Sequence, residues 1–230
     1  EVDWLLNYRG GSFLCKFHPA IQNELTVRGV SYEIISDAVT NQILLDISSP
    51  ALNYDIMKLE KYPKIAVYSP KSKQPWDDAV TLVLSYAEIP YDVVFDDEVM
   101  RGDLTKYDWL HLHHEDFTGQ YGKFYGNYAN MPWYIEQQKE AEDMARKHGF
   151  PKVSQLKLAV AKRIKEFVGS GGFLFAMCSA TDSYDIALAA EGTDICERMY
   201  DGDPADPRAQ EKLNYDNTLA AVDRLNDADG

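Results

Sequence analysis

Apolar residues in this chain come in short blocks set between polar, helix-forming stretches. The clearest block is Phe173-Leu174-Phe175-Ala176-Met177, entered through Gly171-Gly172. Five apolar residues are too few for a helix and predict a strand buried on both faces of a parallel sheet. The block ends at Cys178. Small polar residues follow, and the pattern then predicts an amphipathic helix over 182–190, closed by Gly192. A thiol is thus placed at a strand-to-helix turn, at the carboxyl end of a strand. Open α/β sheets keep their sites there, and a nucleophile elbow has this layout.

The rest of the chain alternates in the same way. Strands are predicted at 3–8, 32–36, 64–69, 91–95 and 107–113, and helices at 21–27, 39–47, 75–88, 132–149 and 155–169, the last capped by Ser154. Pro75 and Pro132 sit where a first helical turn tolerates proline, and Asp77 and Asp78 face the positive end of the helix dipole. Helix 132–149 reads as a polar surface helix, whereas Leu156, Leu158, Val160, Ile164, Phe167 and Val168 can cover a sheet. Alternation of this kind predicts an α/β fold, a three-layer sandwich around a mostly parallel sheet. Residues 1–60 read as an α/β segment of the same domain, 61–195 as the core, and 196–230 as an acidic, mobile segment.

Net charge narrows the function classes. At −14 and pI 4.7 the chain has no basic stripe for phosphates, which excludes nucleic acid as a partner. No apolar segment approaches the roughly 20 residues of a membrane helix. Three widely spaced cysteines, Cys15, Cys178 and Cys196, form neither a disulfide framework nor a zinc motif. No Gly-rich phosphate cradle is present, so no cofactor is expected. The start at Glu1 inside a strand-like segment and the polar close both predict a piece of a longer protein.

Three loops follow predicted strands and converge on one sheet edge if the strands are parallel. The first, 69–78, carries Trp76 and Asp77; the second starts at His113-His114-Glu115; the third runs from Cys178 through Ser179 and Thr181. A cysteine nucleophile needs a partner base, usually histidine. All five histidines precede Cys178, and only His113 and His114 end a strand where they can reach it. Asp182, by contrast, opposes a thiolate. His111, His113, His114 and Glu115 also make a generic metal-ligand set, and against it stands a solvated strand-end cluster. The glycine-rich loop that follows, with Tyr121, Tyr125 and Trp133, reads either as a platform for a ligand or partner protein or as a loop packed on its own aromatics.

The segments KIAVYS, YDWLHLHHED and KRIKEFVGSGGFLFAMCSATDSYDIALA resemble, in order and content, the class I glutamine amidotransferase-like superfamily, over roughly residues 60–195. YRGGSF, KIAVYSPKSKQPWDDAV, WLHLHHEDFTGQYGKFY and FAMCSATDSYDIALAAEG are similar to bacterial proteins labelled asparagine synthetase B. The resemblance implies a flavodoxin-like sandwich, a cysteine nucleophile at Cys178 and an exported, longer chain. Two departures stand out. The superfamily's Gly-x-Cys-x-Gly reads Ala176-Met177-Cys178-Ser179-Ala180 here, and no histidine follows Cys178, whereas the superfamily's His-x-Glu does. No SGGxDS pyrophosphatase signature is present either. The expected function is an amidotransferase-like amide or ester hydrolase with His113 or His114 as base. The alternative is a noncatalytic binding module that uses the aromatic loop.

Overall fold

The computed structural model of the chain describes residues 2–5, 8–51, 56–59, 62–70, 79–119 and 125–219. Contacts divide it into two compact units, Glu1–Tyr62 and Pro63–Gly230. Among the described residues no helix is long and apolar enough to cross a membrane.

The first unit holds a three-stranded antiparallel sheet, with β1 (Val2–Leu5) between β2 (Ser12–Cys15) and β3 (Ile56–Leu59). Opposite Trp4 in the register is Phe13, and their rings stack at 5.8 Å. Helix α1 (Pro19–Val27) starts on His18, whose Nδ1 accepts from the Ala20 N–H, and α2 (Asp37–Ile47) starts on Ser36, whose hydroxyl accepts from Val39 N–H. Its core is small: Leu5, Ile43 and Ile47. The strand expected at 32–36 does not form. Instead the Tyr32 hydroxyl bonds Gln22 and Thr26 of α1, and Ser36 is taken up by the cap.

In the second unit four parallel strands line up in the order β5-β4-β6-β7: β4 is Ile65–Tyr68, β5 Tyr91–Val94, β6 Trp109–Leu112 and β7 Phe173–Ala176. The fold is therefore α/β with a parallel sheet flanked by helices. Helices α3 (Ala79–Tyr86) and α4 (Asp96–Met100) flank β5; α5 (Tyr125–Tyr128), α6 (Pro132–Lys147) and α7 (Val153–Gly169) lie between β6 and β7; α8 (Ser179–Ala189) follows β7. One sheet face, with Ala66, Tyr68, Val94, Leu110 and Leu112, packs on Leu156, Val160 and Ile164 of α7 and on Ala180, Tyr184 and Leu188 of α8. Burial of these side chains is the main source of stability. The expectation that β7 is buried on both faces is corrected. Among the described residues it is an edge strand, and Phe173 and Phe175 are 56% and 45% exposed. An all-apolar strand forms here because Leu174 and Ala176 face the core while the phenyl rings pack edge-on or flat against Trp109 and His111.

Gly171-Gly172 is explained by the end of α7. Gly171 has φ 102°, and the N–H groups of Gly171 and Gly172 return to the carbonyls of Val168 and Phe167. At Gly172 a Cβ would stand 2.2 Å from the Phe167 ring. The N-cap of α7 is Lys152, not Ser154. Helix α8 starts at Ser179, three residues before the reading had it. Over the described residues 192–219 the acidic stretch forms two short helices, α9 (Arg198–Asp201) and α10 (Ala209–Lys212), and the closing 225–230, read as part of the same tail, lies outside the described residues. Lys152 ties the described part down through Asp194, Asp201 and Asp203, and Lys165 donates to the Asn217 carbonyl.

Inside the core sits an ion pair. Lys157 of α7 is 6% exposed and donates at 2.9 Å to both oxygens of Asp96 and to the Tyr68 hydroxyl, which itself donates to Asp96. Its ammonium also lies 4.3 Å from the centre of the Phe95 ring. Burial, and then the Asp96 charge, push the Tyr68 phenol well above its ordinary pKa.

Three outcomes are expected from these contacts. Lys157→Met strands the Asp96 carboxylate and lowers unfolding free energy by about 3–5 kcal/mol in urea titration, while Lys157→Met with Asp96→Asn recovers much of the loss. Gly172→Ala drives a methyl group into Phe167 and costs about 1–3 kcal/mol in the same assay. Asp97 bonds Lys147 and His148 and pairs with Arg101, contacts that hold its pKa below the ordinary value. A lowered folded pKa contributes stability that is present above the unfolded value of about 3.9 and is lost as pH falls through the folded one. Asp97→Asn therefore lowers the melting temperature at pH 7, and its gap to the parent closes as pH falls below about 4.

Candidate functional site

The last rung of β7 is the bond from the Met177 N–H to the Leu112 carbonyl, at 3.1 Å. The next residue, Cys178, has φ 55° and ψ −142°, and α8 begins directly after it. Positive φ in a residue with a side chain costs on the order of 1–3 kcal/mol and persists only where neighbours impose it. The neighbours here are residues 113–115, the extension of β6. The Ala180 N–H donates to the His113 carbonyl at 3.3 Å, Ser179 Oγ to the His114 carbonyl at 3.0 Å, and Ser183 Oγ to the Glu115 carbonyl at 2.9 Å. Glu115 in turn accepts from the His113 N–H at 3.0 Å. Two loops that were expected to converge are stitched together, residue against residue.

This stitching leaves Cys178 exposed and the Ser179 N–H, first of α8, unused by the β6 extension. The imidazoles of His113 and His114 share a hydrogen bond between their Nδ1 atoms at 2.8 Å, with the rings at 73°. His114, Glu115, Cys178, Ser179 and Asp182 line a cleft of about 1290 Å³, and Trp133 and Tyr134 line it from α6.

The other expected site residues fall in different places. His113 reaches this cleft only through its bond to His114. Thr181 stands exposed on the first turn of α8 outside the cleft lining, its N–H donating to the Cys178 carbonyl. Tyr125 backs the wall rather than forming it: its ring meets Tyr134 at 6.1 Å and Tyr200 at 5.4 Å. Trp76, Asp77 and Tyr121 lie outside the described residues.

One feature of the cleft was not read from the sequence. Along α6, Trp133, Gln137, Glu140, Ala141 and Met144 all line it, a stripe at i, i+4, i+7, i+8 and i+11. That spacing was visible, but a helix rich in Glu and Gln gives no apolar signal. Tyr134, which the sequence places among the aromatics of the platform loop, is 1% exposed, and its hydroxyl has no hydrogen-bond partner among the described residues. Burial first, then neighbouring Tyr200 and Tyr125, push its pKa up to about 12, so it keeps its proton.

Among the described residues, the acidic or thiol and imidazole atoms close enough to share a metal ion are those of Asp194, Asp201 and Asp203, not the histidine set around β6. That aspartate cluster already surrounds the Lys152 ammonium, at 2.7, 3.1 and 2.6 Å. The third cysteine, Cys196, is buried beneath Gly119, and burial raises its pKa to about 12, so it behaves as a core thiol.

No family model, curated protein or solved structure matches the chain.

Proposed function

We propose that this chain carries a flavodoxin-like, amidotransferase-like domain whose Cys178 attacks an amide or ester carbonyl. The observation that carries this reading is the exposed thiol at φ 55°, on the strand-to-helix turn that opens the cleft. Strain at one non-glycine residue, imposed by a set of hydrogen bonds, suits a group held out for chemistry. The strand order supports the fold: within the second unit β5-β4-β6-β7 runs second, first, third, fourth, as in flavodoxin-like sheets. In those sheets ligands bind where the order reverses, which here is beyond the carboxyl ends of β4 and β6.

The chemistry follows from the residues present. His114 takes the thiol proton, and the His113 imidazole orients it through the shared hydrogen bond. Sulfur bonds to the carbonyl carbon, and the Ser179 N–H receives the oxygen as it becomes negative. The carbon–nitrogen or carbon–oxygen bond breaks, the leaving group takes the proton from His114, and water then releases the acid from the thioester. Alanines at 176 and 180 replace the glycines of the resemblance. Ala180 is fully buried against the core, so the turn is packed where that pattern is open.

One observation favours the second reading, a binding module without turnover: Asp182 in the first turn of α8 opposes negative charge on the sulfur. Alkylation separates the two. Under the catalytic reading iodoacetamide modifies Cys178 at pH 7 at least about tenfold faster than Cys15, an exposed thiol elsewhere on the same chain. Cys178→Ala abolishes amide or ester turnover, and His114→Gln lowers it by about 10²–10⁴-fold. Equal alkylation of Cys178 and Cys15 with no turnover selects the binding module, and turnover that survives Cys178→Ala removes Cys178 as the nucleophile.

A further inference from the structure

The cleft has a charge as well as a shape. Its lining holds nine carboxylates, among them Asp182, Glu140 and Glu197, against two lysines, and four of the nine, Asp97, Glu98, Asp143 and Asp206, are paired with Lys147, Arg101, Arg146 and Lys212. Both lysines are already committed, Lys157 to Asp96 and Lys147 to Asp97. Asp182, Glu140 and Glu197, in contrast, form no ion pair among the described residues. A concave surface whose unpaired charges have one sign concentrates ligands of the opposite sign. The positive end of α8, which would otherwise draw anions, has Asp182 on its first turn.

Acidity alone is common on a chain of net charge −14. Two further observations point to a ligand. Tyr134 lines the same cleft, is 1% exposed, and holds a hydroxyl with no partner among the described residues. A buried, protonated phenol without an acceptor is costly unless an incoming group supplies one, and the carbonyl of an amide or ester does so. Trp133, seven residues before Glu140 on α6, lines the cleft on the same stripe. An aromatic face and a carboxylate two turns apart on one side of a helix suit an ammonium or guanidinium group that lies between them, by cation–π attraction and by charge.

We infer that the cleft selects a cationic amide or ester, with the positive group held between Trp133 and Glu140 and an acyl oxygen at Tyr134. The word substrate rests on the reading of Cys178 as nucleophile; selective binding does not. Three probes of similar size carry the test: Nα-acetyl-lysinamide, Nα-acetyl-norleucinamide and the α-amide of Nα-acetyl-glutamate. Binding to the full chain with Cys178→Ser is measured by calorimetry, and hydrolysis is followed with the parent protein.

Lysinamide is expected to bind about tenfold more tightly than norleucinamide at low salt, with the glutamate compound weakest, and the gap narrows as salt approaches about 0.3 M. Glu140→Gln removes roughly threefold of the preference. Glu136→Gln, an exposed change on the same helix but outside the cleft lining, removes none. Equal affinity for the three probes, a preference that Glu140→Gln leaves intact, or no saturable binding of any probe overturns the inference. The two readings fail separately. Selective binding without hydrolysis removes the nucleophile and keeps the cation site; hydrolysis without charge preference does the reverse.

Discussion

The second unit depends on a salt bridge placed where water does not reach. Lys157 enters the core from the middle of α7, Asp96 from the end of β5, and Tyr68 from the end of β4. Desolvating both charges costs several kcal/mol each, and the return comes only if every donor and acceptor is matched. Here the ammonium has both carboxylate oxygens and a phenol, with two aromatic rings beside it. A matched set of this kind adds little net stability over an apolar core, but it tolerates no slippage. A shift of α7 along the sheet would leave Asp96 buried and alone, so the pair fixes the register between helix and strands. Since α7 runs through Gly171-Gly172 into β7, that register also sets where Cys178 emerges.

At Cys178 a second constraint acts in the opposite sense. The pair in the core removes alternatives by satisfying every group; the turn at Cys178 keeps a residue in a conformation it disfavours. The bonds from Ala180, Ser179 and Ser183 to the carbonyls of residues 113–115 supply that force. They use up backbone acceptors of the β6 extension and leave the side chains of His114 and Glu115 toward the cleft. Backbone strain at Cys178 and the place of His114 in the cleft lining follow from one set of contacts.

Much of this was legible in the chain, for local reasons. The strands at 64–69, 91–95, 107–113 and 173–177 and the long helices at 132–149 and 155–169 announce themselves through block length, proline and glycine. Cys178 and His114 were visible because each ends a strand. Strand order was not visible, which is why β7 read as central: a block of five apolar residues looks the same whether helices or solvent cover its second face. The strands of Ser12–Cys15 and Ile56–Leu59 were missed because four residues carry too little alternation. Lys157 looked like any lysine on an amphipathic helix, since its burial depends on Asp96, 61 positions earlier. Trp76, Asp77 and Tyr121 stay as sequence expectations.

Composition takes on meaning once the cleft is known. A net charge of −14 in the sequence excluded nucleic acid and otherwise looked like a solubility device. In the fold the charge divides into two populations. Asp194, Asp201 and Asp203 surround Lys152, and Asp97 is met by Lys147, Arg101 and His148, so these acids act as mortar between elements. Asp182, Glu140 and Glu197 have no such duty and line the cleft that also holds Cys178, the one exposed thiol of the second unit. A thiolate gains nothing from carboxylates around it, and a helix tip gains nothing from an aspartate if anions are its ligands. If Cys178 is the nucleophile, an entering molecule that brings positive charge offsets the field of these acids at the sulfur at the moment of attack.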